Sequence, residues 1–119
     1  MVPYKLALNQ WALAGQWLVD KEKATLSMAP GTLSFRFSAR DLHLVMGVGV
    51  DGKPVRFRVL IDGKAPDKHH GMDIDATGNG TVSEQRLYQL IRQAGDVSEH
   101  TFSIEFLDSG VQTFSFTFG

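Results

Sequence analysis

Phe102-Ser103-Ile104-Glu105-Phe106 and, after a short break, Phe114-Ser115-Phe116-Thr117-Phe118 carry an apolar side chain at every second position with a polar one between. A period of two marks a strand with one buried face, because successive side chains on extended backbone point to opposite sides. The same alternation runs through Leu33, Phe35 and Phe37 around Ser34 and Arg36, through Leu42, Leu44, Met46 and Val48 around His43, and through Phe57, Val59 and Ile61 around Arg58. Each set has one apolar face. The pattern predicts an all-β fold, a two-sheet antiparallel jelly-roll sandwich with its phenylalanines turned inward and its polar rows turned to solvent or to a ligand.

Turn chemistry agrees with that prediction. Asp51-Gly52, Asp62-Gly63 and Asn79-Gly80 supply the positive-φ residues that tight hairpins need, and Pro30-Gly31 reads as a further break. With residues 16–20 and 23–28 taken as two more strands, the count reaches about eight, the number expected of a jelly roll. Residues 83–95 pull the other way, since Leu87, Leu90 and Ile91 sit at helical spacing before Gly95. Residues 86–92 are nonetheless expected to be a strand, because a sandwich must pair the strands around them and tertiary context overrides propensity.

The 119 residues fit one domain, 1–119. A formal net charge of -1, with both signs interspersed, gives no electrostatic case for nucleic acid or an anionic membrane. There is no cysteine, so this segment has no disulfide, thiolate metal site or thiol chemistry. The opening Met1-Val2-Pro3-Tyr4, polar by Asn9-Gln10, has neither a signal-peptide core nor a run able to span a bilayer. It reads as a cut inside a longer protein, with no direct membrane insertion.

Few constellations carry chemistry. Gly47-Val48-Gly49-Val50-Asp51-Gly52 matches the glycine spacing of a dinucleotide site, but Lys53-Pro54 and another strand follow, and no helix receives a phosphate. Residues 73–84 place Asp73, Asp75, Thr77, Asn79 and Glu84 at the ligand positions of a twelve-residue calcium loop with Gly78 at the sharp turn, which makes calcium the candidate cation. Upstream Gly63, Pro66 and Gly71 deny that loop its entering helix, so an Asp- and Gly-rich connection is the competing reading. His43, His69, His70 and His100 show no metal-ligand spacing, and no serine sits in a nucleophile elbow. No catalytic residue is expected.

Sugar recognition asks for an exposed aromatic plane flanked by planar hydrogen-bonding groups. Trp11, Trp17, Tyr88 and Arg92 offer such pieces, and Arg56 and Arg58, with Arg36, form a polar row that could line a cleft. Burial at the end of a sandwich is the plainer reading of each tryptophan.

Several separated blocks occur in one order: Asn-Gln-Trp-Ala-Leu-Ala-Gly-Gln-Trp from Asn9, Ala-Arg-Asp-Leu-His-Leu-Val-Met-Gly from Ala39, Pro-Val-Arg-Phe-Arg-Val from Pro54, Arg-Leu-Tyr-Gln-Leu-Ile-Arg from Arg86, and the closing Phe-Ser-Phe-Thr-Phe-Gly. Together they resemble the C-terminal module of DipZ-type thiol-disulfide and cytochrome c biogenesis proteins, which follows a thioredoxin-like domain and is similar in fold to carbohydrate-binding modules. The resemblance implies an extracytoplasmic, non-catalytic module, excised from the C-terminus of a larger thioredoxin-like protein, that recognises carbohydrate or cell-wall glycan beside a thiol-disulfide oxidoreductase. The alternative is a structural docking domain, possible with or without bound calcium, that positions the thioredoxin-like domain against protein clients. The partners expected are therefore carbohydrate or a protein client and the adjacent thioredoxin-like domain.

Overall fold

A computed structural model describes residues 6–119. Eight strands follow one another: β1 (Trp11–Val19), β2 (Ala24–Phe37), β3 (Asp41–Gly47), β4 (Val55–Ile61), β5 (Asn79–Val82), β6 (Arg86–Arg92), β7 (His100–Phe106) and β8 (Gln112–Phe118), with one 3-10 turn at Asp67–His69 between β4 and β5. All pairings are antiparallel, in the order β5-β4-β7-β2-β8-β3-β6, with β1 along β2. This one continuous sheet is curled into two layers, so its apolar faces meet in a single core as the alternation requires.

The long strand β2 makes the curl possible. Its first residues, Ala24 and Thr25, pair with β8, while Gly31 through Phe37 pair with β7 in the other layer. Pro30-Gly31, expected to end a strand, lies inside this one. Proline has no N–H to give a ladder, and Pro30 falls where β2 has left β8 and not yet joined β7, so no hydrogen bond is sacrificed. The two short strands expected at 16–20 and 23–28 are accordingly the joined end of a longer β1–β2 hairpin.

Leu33, Phe35, Phe37, Phe57, Phe102, Ile104 and Phe106 are buried, as their alternation predicts. The last strand departs from the pattern. Val45 opposes Ser115 and Met46 opposes Thr113, which leaves Phe114 in a bulge and turns Thr113 inward. Phe114 and Phe116 are half-buried and Phe118 is 45% exposed, although all three were expected in the core. Residues 86–92 form the expected strand, and a second bulge between Leu42 and His43 on the partner register lets both Leu90 and Ile91 face inward.

The turns also sort themselves. Asp62 and Gly63, with φ of 52° and 80°, close a two-residue hairpin in which Ile61 and Lys64 exchange backbone hydrogen bonds. Asn79-Gly80 was expected to be another such turn but belongs to β5; the reversal is made earlier, at Gly78 (φ 95°), whose N–H donates to the Asp75 carbonyl.

Candidate functional site

Trp11 opposes Phe35 across the β1–β2 pair, and Phe35 stacks on Phe116 at 4.8 Å between ring centres. Because β1 follows β2 while β8 belongs to the facing layer, the two layers gape at this edge. The opening is a groove of about 210 Å³ whose walls are Trp11, Val19, Leu33, Leu44 and Phe116. Trp11 stands at its mouth with 58% of its surface exposed.

The turn between β1 and β2 forms the polar rim of this groove: Asp20, Lys21, Glu22 and Lys23 all line it. Asp20 rigidifies the rim by accepting the N–H groups of Glu22 (2.8 Å) and Lys23 (2.9 Å). Those two hydrogen bonds hold its carboxyl below the ordinary aspartate value. An exposed indole beside fixed carboxylate and ammonium groups can stack on the C–H face of a sugar ring while the rim meets its hydroxyls.

The other residues singled out by sequence do not join Trp11. Trp17 packs edge-on against Phe106 at 5.9 Å and donates its Nε1–H to the Ala14 carbonyl at 2.9 Å, so it is a core-edge residue. Tyr88, expected as an available plane, is fully buried. Its hydroxyl donates to the Glu84 carbonyl at 2.7 Å and accepts the N–H groups of Ser83 and Glu84, which closes the β5–β6 turn. Arg92 is exposed at the end of β6, the strand at the far edge of the sheet. Arg56 is held by a two-pronged pair with Asp108, at 3.0 Å for each prong, and Arg58 donates to the Thr77 carbonyl at 3.3 Å. The six residues thus lie on β1, β4 and β6, and the structure does not assemble them into one surface.

Of the candidate calcium ligands, Asp75, Thr77 and Asn79 cluster in the turn while Asp73 faces β6. Asp73 gives one carboxylate oxygen to Arg86 (2.9 Å) and the other to the Gln89 N–H (2.6 Å), both on β6. Burial pushes its carboxyl up, but the hydrogen bonds from Arg86 and Gln89 outweigh burial and hold it below the ordinary value. Asp75 accepts from the Thr77 hydroxyl and from the N–H groups of Thr77 and Asn79, and the Asn79 amide donates back to the Thr77 hydroxyl. Both Asp73 oxygens are thus spent on β6, and Asp75 Oδ1 on closing the turn. Among the described residues no group of three or more His, Cys, Asp or Glu side chains is placed to hold a metal ion.

Sequence reading missed a second concavity, on the outer face of β2, β7 and β4. It is a trough of about 510 Å³ lined by Thr32, Leu60, Asp62, Thr101, Ser103 and Glu105. The register creates it: Ser34 opposes Ser103, and Thr32 opposes Glu105, so small hydroxyl side chains make the floor and charged ones the ends. The polar alternation was visible in the sequence; which polar residues lie side by side was not.

Solved structures share this architecture. A family two carbohydrate esterase from Clostridium thermocellum, in complex with cellohexaose, superposes with a TM-score of 0.70 at 13% identity, over 92% of this chain and 31% of the esterase. A family two carbohydrate esterase from Cellvibrio japonicus superposes with a TM-score of 0.64 at 14% identity, over 89% of this chain and 29% of the other. The chain therefore spans about a third of the length of these enzymes, and the likeness is one of fold. No curated protein sequence matches it. Over residues 1–119 the sequence matches the family described as thioredoxin like C-terminal domain, and the chain belongs to that family.

Proposed function

We propose that the chain is a recognition module for carbohydrate, a cell-envelope glycan, carried beside a thiol-disulfide oxidoreductase of the DipZ type outside the cytoplasm. The observation that carries this reading is Trp11, exposed over an apolar groove and bordered by the charged turn 20–23. Its ring is free to stack where the ring of Trp17 is not. The sequence blocks that resemble DipZ-type proteins support the setting, and the family of thioredoxin-like C-terminal domains is compatible with it. The esterase solved with cellohexaose has this fold within a longer chain, which supports a sugar ligand by analogy only.

The test is a glycan array probed with the purified chain and with Trp11→Ala. Binding to a set of glycans that disappears in the variant, with the melting temperature kept, supports the proposal; an array silent for the wild type overturns it. A second reading, docking against a protein, draws on the outer side of the β1–β2 hairpin, where Leu18 and Met28 are 68% and 58% exposed. Crosslinking to a thioredoxin-like domain through that hairpin would favour docking.

A further inference from the structure

The β4–β5 connection and the chain entering β7 bring four polar residues together at one end of the outer trough. His100 lies at the start of β7, and its Nδ1 is 2.7 Å from Asp62 Oδ2 in the β4 hairpin turn. On its other side, His100 Nε2 is 2.9 Å from the hydroxyl oxygen of Ser98. A carboxylate on one imidazole nitrogen and a serine hydroxyl on the other is the arrangement in which the carboxylate fixes the tautomer, so that Nε2 is left bare to accept the serine proton.

From this geometry we infer that Ser98, His100 and Asp62 form an acyl-transfer triad that cleaves a short carboxylic ester.

The surroundings hold the three groups in place. Asp62 is oriented from several sides: its Oδ1 accepts the Thr101 N–H at 2.8 Å, and Arg36 lies 3.6 Å away. Burial pushes the Asp62 carboxyl up, yet the Thr101 and His100 hydrogen bonds hold it below the ordinary value, so it is a carboxylate at neutral pH. The loop that presents Ser98 is pinned by buried Gln93, whose amide donates to the Ala39 and Ser98 carbonyls while its oxygen accepts the Ser98 N–H. Ser98 itself is exposed and open to a substrate.

A second imidazole stands beside the triad. The Ala94 N–H donates to His69 Nδ1 at 3.0 Å, so the neutral ring of His69 carries its proton on Nε2, and that ring lies 6.3 Å from His100. The trough adjoins the triad, because Asp62 and Thr101 line it, and its hydroxyl-rich floor suits the alcohol part of the ester. The reaction balances without any further reagent. The Ser98 oxygen bonds to the carbonyl carbon as its proton passes to His100 Nε2; the ester C–O bond then breaks, and that proton leaves with the alcohol. Water repeats the sequence on the acyl-serine, releases the carboxylic acid and restores the serine hydroxyl.

This inference is independent of glycan binding at Trp11, which lies in a different groove. The test is labelling of the purified chain with a fluorophosphonate, followed by mass spectrometry of the modified peptide, together with initial rates on p-nitrophenyl acetate. Expected are a single adduct on Ser98 and a rate that falls about 100-fold or more in Ser98→Ala and in His100→Gln, the usual worth of a nucleophile or its base. Ser98→Ala removes only an exposed hydroxyl, so its melting temperature should match the wild type and a fold defect cannot be the cause. No adduct on Ser98, or a rate unchanged in Ser98→Ala, overturns the triad.

Discussion

Two tryptophans that look alike in sequence have opposite fates. Trp11 and Trp17 both lie on β1, yet the irregularity at Gly15 (φ 104°) and Gln16 separates them, and only Trp17 reaches the Phe106 edge of the core. Trp11→Ala is therefore expected to leave thermal stability nearly unchanged while removing ligand binding. Trp17→Ala, which empties a half-buried site and strands the Ala14 carbonyl, should cost about 2 kcal/mol in urea unfolding, roughly half the loss for a fully buried ring. Phe116, half-buried, belongs with Trp17, whereas Phe102, fully buried, should cost about 3–5 kcal/mol on truncation to alanine.

Carboxylates supply another prediction at this scale. Asp62 and Asp73 are held below the ordinary aspartate value where hydrogen bonds outweigh burial, Asp41 by the Arg40 hydrogen bond, Asp75 by the Thr77 hydroxyl, and Asp108 by its pair with Arg56, down to about 2. A carboxyl with a depressed native value contributes stability that is complete above its unfolded value, near 4, and is lost as pH falls through the native one. Melting temperature should be flat from neutral pH to about pH 5 and then decline steadily toward pH 2. A melting temperature that rises on acidification would contradict these assignments.

At the scale of the element, β6 shows both how far the sequence could be read and where it became ambiguous. Leu87, Leu90 and Ile91 mimic a helix because the bulge at Leu90 puts two consecutive apolar residues into the core, which an unbroken strand would not do. The demand that a sandwich pair its strands was the better guide, although β6 pairs with β3 and not with the strands that flank it in sequence. The bulge at Phe114 had no such guide, since Phe114, Phe116 and Phe118 alternate faultlessly and only the register with Val45 and Met46 reveals the slip. Bulges and cross-strand neighbours are set by contacts far apart in sequence, which is why the strands were legible and the trough was not.

The β5–β6 turn offers a direct check on an element. Tyr88→Phe keeps the buried ring but deprives the Ser83 and Glu84 N–H groups and the Glu84 carbonyl of their shared partner, and should destabilise by about 1–3 kcal/mol. Urea unfolding would show a lower midpoint with an unchanged slope. An unchanged midpoint would mean that water serves the turn as well as the tyrosine does.

The whole molecule is a curled sheet whose two layers are joined by one long hairpin, and its concavities follow from that curl. One opens between the layers beside Trp11, and the other lies on the outer face of β2, β7 and β4. The alternating phenylalanines made the sandwich readable, and the exposed indole was among the residues the sequence put forward. Composition and spacing favoured burial for both tryptophans and could not show that Trp11 escapes it, that Tyr88 is occupied by the fold, or that Asp73 answers to Arg86. Since both oxygens of Asp73 and the Oδ1 of Asp75 are already engaged, millimolar calcium should leave the melting temperature where it is; a rise would show that the loop can trade its hydrogen bonds for a cation.

The central claim is that Trp11 recognises a sugar, and tryptophan fluorescence during titration with the best glycan from the array tests it most directly. The account predicts a saturable change in emission for the wild type, the same change in Trp17→Phe, and none in Trp11→Phe with calorimetric affinity reduced in step. A saturable change that survives in Trp11→Phe with undiminished affinity would place the sugar elsewhere and contradict the claim.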